Sequence, residues 1–256
     1  MRLLFVGDSN TLGLGAGGAP FPTLVGRTLE ADGIGLEILN RGINGGTVAT
    51  HVEQLPEYAA WKPDIVVLWV GGADALSVPR RDGRFDLVRA LPPRYRQLGW
   101  LQPRPYLPSR WWKRTLYARP ESYLRTRIGR LIMRLQGVRT VLPFDQFESG
   151  VRMLFEAFTA IGATVIACGP GPVDDAIFPG AEASFERFGN VVKLLARAHN
   201  ARHVDLATVL RLPGHLLLDR FHPNARGHAV IAQALAPIVR DAIQQRAVVR
   251  PALTPS

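Results

Sequence analysis

A parallel β-sheet covered by helices on both faces is the fold class that this 256-residue chain predicts. Three observations lead to it. Short apolar runs alternate with longer segments of helical period, and such alternation builds α/β folds around a parallel sheet. An apolar content of 47% is enough for one large domain, or for a domain carrying an insertion. Only residues 76–143 interrupt the alternation, and they differ from the rest in composition and charge.

Taken in order, the runs Leu3–Val6, Leu36–Leu39, Ile65–Val70, Thr164–Cys168 and His203–Leu206 predict five strands. Helical spacing predicts helices over Phe21–Ala31, Val48–Ala60, Phe144–Ile161 and Ser184–Asn200, with a short one around Thr208–Leu212. A last helix is expected from Ala225 to Arg246: Val230, Ile231, Ala234, Leu235 and Ile238 recur at helical spacing, and Asn224 is placed to cap its start. The predicted organisation is therefore an α/β domain from residues 1–75 and 144–247, an insertion at 76–143 and a loose tail at 248–256.

Ligands of such sheets bind beyond the carboxyl ends of the strands. Ser9 follows the first strand, Gly45 the second and Asp74 the third, so all three are expected on one edge. The segment Asp219-Arg220-Phe221-His222-Pro223-Asn224 places a carboxylate three residues before an imidazole, compact enough for one loop to carry both. A serine becomes a nucleophile when a base takes its proton and a third group fixes that base. Alone, Gly-Asp-Ser is better read as a helix N-cap.

These residues resemble the blocks of the SGNH (GDSL-type) hydrolases. Gly7-Asp8-Ser9-Asn10 matches the first block, with Asn10 where the family often has leucine. Asn40-Arg41-Gly42-Ile43-Asn44-Gly45-Gly46-Thr47 is similar to the second, and Asp219 and His222 match the last. The resemblance implies a three-layer sandwich with a five-stranded parallel sheet, SGNH- or flavodoxin-like. It implies ester or acyl-bond hydrolysis by Ser9, His222 and Asp219, with the backbone N–H groups of Ser9 and Gly45 receiving the oxyanion. An acyltransferase with the same residues, or a binding protein on the same scaffold, is the alternative. The third block departs from the family pattern: Gly71-Gly72-Ala73-Asp74 has alanine where an asparagine would donate to the oxyanion. Loss of one such donor costs about 10²–10³ in rate. Asn10 or Asn44 is the candidate substitute, and Asp8 and Asp74 are candidate supporting residues. Asp74 is expected to tie the third-strand loop to the nucleophile loop.

No cofactor or metal is expected. His51, His199, His203, His215 and His228 have no metal-ligand spacing, and the glycines at 13, 15, 17 and 18 are not followed by the Gly-Lys-Ser/Thr of a phosphate loop. The single cysteine, Cys168, cannot form an internal disulfide and reads as a small core residue. With the first strand beginning at Arg2, no cleavable apolar leader is expected, and no run reaches the roughly 20 apolar residues of a membrane span. A cytoplasmic location, with peripheral contact at the inner face of a membrane as an extension, is the expectation.

The formal charge of +10 is uneven. Residues 76–143 hold 15 arginines and Lys113 against Asp82, Asp86 and Glu121, so the rest of the chain is slightly acidic. The segment is rich in proline and carries Trp100, Trp111 and Trp112. Its last part places Leu124, Ile128, Leu131 and Leu135 on one face and Arg127, Arg130 and Arg134 on another. It reads as a mostly helical basic cap beside the site, and three uses remain open. They are a solvated lid, a surface for an anionic substrate or acidic membrane, and nucleic-acid binding, the last without a recognised motif. The substrate class is a small-molecule, glycan or lipid acyl ester, and the oligomeric state is undetermined by sequence.

Overall fold

The computed structural model describes residues 1–81, 86–96, 101–211 and 214–249. Trp100, Leu212 and residues 250–256 of the expected tail lie outside them. Five strands, β1 (Arg2–Gly7), β2 (Glu37–Gly42), β3 (Ile65–Trp69), β6 (Thr164–Cys168) and β7 (Arg202–Val204), form a wholly parallel sheet in the order β2-β1-β3-β6-β7. Two further short strands, β4 (Ser77–Pro79) and β5 (Val138–Thr140), pair antiparallel as a separate ribbon.

Continuous apolar runs suit the central strands because both their faces are covered. Leu3 and Phe5 of β1, Ile65 and Val67 of β3 and Ile166 of β6 face one layer, with Phe21, Val25, Leu29, Ile231, Leu235 and Val239. The alternate residues Leu4, Val6, Val66, Leu68 and Val165 face the other, with Val48, Tyr58, Phe147, Leu154, Phe158 and Phe188. The first layer is built by α2 (Phe21–Ala31) and α11 (Ala225–Val249), and the second by α3 (Val48–Glu53), α4 (Leu55–Trp61), α8 (Phe144–Ala160) and α9 (Ala181–Ala198). Short helices α1 (Ser9–Leu12), α5 (Gly72–Ala75), α6 (Leu87–Ala90) and α10 (Leu206–Val209) begin at or near strand ends or in the insertion. Burial pushes the Cys168 thiol up to about 12, the behaviour of an inert core residue.

Several expected boundaries move. The single helix over Val48–Ala60 is two, broken at Gln54, because Pro56 has no N–H to donate to the Val52 carbonyl one turn back. Leu206 belongs to α10, capped by the Asp205 carboxylate on Ala207 N–H, rather than to the last strand. Val248 and Val249 continue α11 instead of starting a tail.

Residues 76–143 leave and re-enter the domain through the β4–β5 ribbon, closed at its base by Val141 N–H to Leu76 O (3.1 Å) and Leu142 N–H to Asp74 O (3.1 Å). Beyond it a π-wound stretch, Lys113–Ala118, runs into α7 (Arg119–Gln136). The face of α7 that packs inward is Gly129, Ile132 and Met133, with Gly129 against the Leu101 carbonyl. The expected leucine stripe is not the packed face: Leu124, Leu131 and Leu135 point to solvent. Among the described residues no helix is long and apolar enough to cross a membrane.

Candidate active site

Ser9 sits where the sheet's connectivity reverses. From β1 the chain goes to β2 on one side and then returns to β3 on the other, which opens a crevice at the carboxyl end of β1. Gly7 pairs with Gly42 and Trp69, so the segments after β1, β2 and β3 emerge level with one another. Ser9 begins α1, and the preceding Asp8 caps it by accepting Asn10 N–H at 2.8 Å. Gly42 must be glycine here: a Cβ would lie 2.0 Å from Leu12 N, because α1 rests directly on the end of β2.

Residues 216–223 bring the second half of the site. Leu216 bridges Pro223, Leu217 N–H reaches His222 O at 2.7 Å, and Arg220 takes a left-handed backbone (φ 52°) at the tip. The Asp219 carboxylate accepts the N–H groups of Phe221 and His222, both at 3.1 Å, through Oδ1. Its Oδ2 lies 2.6 Å from His222 Nδ1, and His222 Nε2 lies 2.9 Å from Ser9 Oγ. Because a carboxylate only accepts, Nδ1 carries the ring hydrogen and Nε2 presents its lone pair to the serine hydroxyl. Phe221 stands edge-on to His222 with ring centres 4.8 Å apart, and is itself held by Phe178 and Phe185. Asn224 fixes the loop from behind. Its amide donates to Gly214 O and Leu216 O, and its oxygen caps α11 at Gly227 N–H.

The structure thus brings Ser9, Asp219 and His222 together. The two acidic candidates hold loops. Asp8 is buried and accepts Ala73 N–H at 3.2 Å, so it is Asp8 that ties the Ser9 turn to the third-strand loop. Asp74, expected in that part, instead accepts Val48 N–H at 2.8 Å and Gly71 N–H at 3.2 Å, joining the third-strand loop to the start of α3. The difference follows from position: Asp74 is the third residue of α5 and turns back onto its own N-terminus. Burial pushes Asp74 up to about 7, with the neighbouring Asp8 charge adding to it, and burial likewise raises Asp8. Gly45 occupies an exposed turn at φ 69°, closed by Gly46 N–H to Ile43 O, and Asn44 beside it is exposed. Asn10 is buried with its side-chain oxygen unpartnered, and Ala73 is buried with no side-chain donor.

Three residues that hold this turn were not predicted. Asn40 donates to Thr11 O at 2.9 Å, which clamps α1 to β2, and accepts Gly42 N–H at 2.9 Å, which fixes the end of β2. The His51 ring meets Gly7 O at 3.0 Å and Tyr58 Oη at 2.9 Å. The carbonyl only accepts, so Nε2 donates to it and Nδ1 accepts the tyrosine hydroxyl; burial accordingly lowers His51 to about 4. His228 similarly spans Leu14 O and Phe21 N–H, tying α11 to the glycine-rich turn after Ser9. Nothing in the spacing of these residues distinguishes them from other polar residues, although Asn40 opens a block already singled out. Among the described residues no three His, Cys, Asp or Glu side chains gather as a metal group would require.

Comparison with known proteins gives the family and the fold. The model of the GDSL-like lipase/acylhydrolase family matches residues 5–230. Among solved structures, the chain is similar to Axe2, an acetylxylan esterase from Geobacillus stearothermophilus, at 21% identity and TM-score 0.59, covering 94% of this chain and 93% of that one. It is similar to LAE5, an alpha/beta hydrolase enzyme from the metagenome of Lake Arreo, Spain, at 21% identity and TM-score 0.59, covering 92% and 93%. For TesA the values are 19% identity and TM-score 0.59, covering 94% and 99%. No curated protein sequence matches. These likenesses establish the common fold, and the family model extends over nearly the whole α/β domain, from the first strand into the last helix. The chain belongs to the GDSL-like lipase/acylhydrolase family.

Proposed function

We propose that the protein hydrolyses a carboxylic ester or related acyl bond through Ser9, His222 and Asp219. The observation that carries this reading is the continuous row from Asp219 Oδ2 through the imidazole to Ser9 Oγ, with contacts of 2.6 and 2.9 Å. In the reaction Ser9 Oγ attacks the acyl carbonyl carbon while its proton passes to His222 Nε2. The carbonyl electrons become an oxyanion, received by the backbone N–H groups of Ser9 and Gly45. Collapse restores the carbonyl and expels the alcohol, which leaves with the proton from Nε2. Water then attacks the acyl-serine, giving its proton to the same nitrogen, and a second collapse releases the acid and returns the proton to Ser9. Asp219 holds the ring in the required tautomer throughout.

With Ala73 supplying no third donor, the oxyanion rests on two N–H groups, which favours reactive esters and slower turnover. Acetyl esters are the first substrates to try, since one structural relative is named for acetylated xylan. Turnover of p-nitrophenyl esters of increasing acyl length should be abolished in Ser9→Ala and His222→Ala. Equal residual turnover in wild type and both variants would reject the reading. Faster product formation with an added acceptor alcohol than with water alone would assign acyl transfer instead.

A further inference from the structure

The inserted segment turns an apolar face outward. Leu116, Leu124, Leu131 and Leu135 are between 55 and 73% exposed, and Tyr123 and the neighbouring Trp111 are exposed to a similar degree. A helix whose partners were all within this domain would bury such a stripe, and α7 buries the small opposite face instead. Cations lie among the leucines: Arg127, which stacks over Tyr123 at 4.9 Å, and Arg134 are both exposed.

Next to this face, Arg104, Arg119, Arg127 and Arg130 line a groove of about 320 Å³ whose floor includes Leu218. Leu218 directly precedes Asp219 and is itself exposed. Arg130 anchors the groove by donating to Ala176 O, in the loop after β6. The outward face is therefore continuous with the loop that carries Asp219 and His222.

We propose that this face docks on the surface of an anionic lipid bilayer. Exposed leucine and tryptophan side chains mixed with arginines along one helical stretch suit the boundary between acyl chains and headgroups. The charge selects the occupant: with 16 basic and three acidic residues in the segment, a second copy would meet like charge, whereas an acidic bilayer meets opposite charge. The argument uses no catalytic residue, so the Ser9→Ala chain tests it apart from the hydrolytic reading.

The experiment is flotation of full-length Ser9→Ala protein with vesicles of mixed phosphatidylglycerol and phosphatidylcholine, and with phosphatidylcholine alone. The protein should float with the mixed vesicles only, and less as salt shortens the screening length from about 10 Å at 0.1 M. Each basic residue near an acidic surface contributes enough that adding Arg127→Gln and Arg134→Gln should weaken partitioning by roughly thirtyfold. Adding Leu124→Ser, Leu131→Ser and Leu135→Ser, all surface changes, should abolish it with the far-ultraviolet circular dichroism unchanged. Equal binding to neutral vesicles, no binding to either, or insensitivity to both sets of substitutions would overturn the proposal. So would a lipid-independent dimer in sedimentation that the leucine substitutions dissolve, which would give the face to a second copy.

Discussion

His51 and Asp74 hold the turns beside Ser9 from opposite sides of the protonation ledger, and their effects on stability should cancel. The folded state keeps His51 neutral, at about 4 against an ordinary 6.5, so the unfolded chain binds the extra proton between those values. Stability from His51 is present above pH 6.5 and lost as pH falls towards 4. Asp74 is the reverse. Its folded value of about 7 against 3.8 means that the folded state holds the proton more tightly, so stability is present below pH 4 and lost as pH rises to 7. At about 1.4 kcal/mol per pH unit between the two values, each contributes roughly 3 kcal/mol across pH 7 to 4, with opposite sign. Urea unfolding of wild type, His51→Gln and Asp74→Asn at pH 7, 5.5 and 4 separates them, provided the denaturant slope is unchanged. Relative to wild type, acidification from pH 7 to 4 should stabilise His51→Gln and destabilise Asp74→Asn, each by about 3 kcal/mol. Groups common to all three proteins drop out of the differences. If both variants followed the wild-type pH dependence to within about 1 kcal/mol, the assignment of these two buried groups would be wrong.

Three further outcomes follow from the same turns. Ala73→Asn restores a side-chain donor on α5 and should raise kcat by up to about 10²-fold with KM little changed; a fall in kcat would show that Asn10 or Asn44 already fills that position. Gly15→Ala should lower both Tm and kcat, since a Cβ there would lie 2.0 Å from Pro223 O at a backbone φ of 96°, pushing the Ser9 turn away from the His222 loop. Unchanged kcat would mean that the two loops do not depend on this contact. Asn40→Ala removes the bond from β2 to Thr11 O of α1 and the one that fixes the end of β2 at Gly42 N–H, and should cost about 2 kcal/mol in urea unfolding, with a larger fractional loss in kcat than in KM.

The sheet was legible because β1, β3 and β6 are buried on both faces, so their residues leave continuous apolar runs that no exposed segment imitates. The residues proposed to react were legible for a different reason: Ser9, Asp219 and His222 stand in short blocks whose order along the chain carries information. What supports them was not. Asn40, His51 and His228 act through backbone carbonyls and N–H groups far away in sequence, and a polar residue facing a distant backbone atom has no local pattern. The β4–β5 ribbon was missed because three-residue strands, one ending in Pro79, show no alternation. Periodicity located the stripes of α7 but could not tell which faced the protein. A leucine stripe ordinarily turns inward, and here Gly129, Ile132 and Met133 are packed instead. The parts taken by Asp8 and Asp74 are a case of the same kind: both were expected near the site, and only the backbone path decides which N–H each one meets.

The claim that Ser9 is the nucleophile is tested most directly by covalent capture. Incubation with a fluorophosphonate, which phosphonylates a serine oxygen activated by a neighbouring base, followed by peptide mass spectrometry, reads the modified residue without knowledge of the natural substrate. The account predicts one adduct, on the peptide containing Ser9, absent in Ser9→Ala and strongly slowed in His222→Ala. An unmodified Ser9 in folded protein, or an adduct on another serine at the wild-type rate, would contradict it.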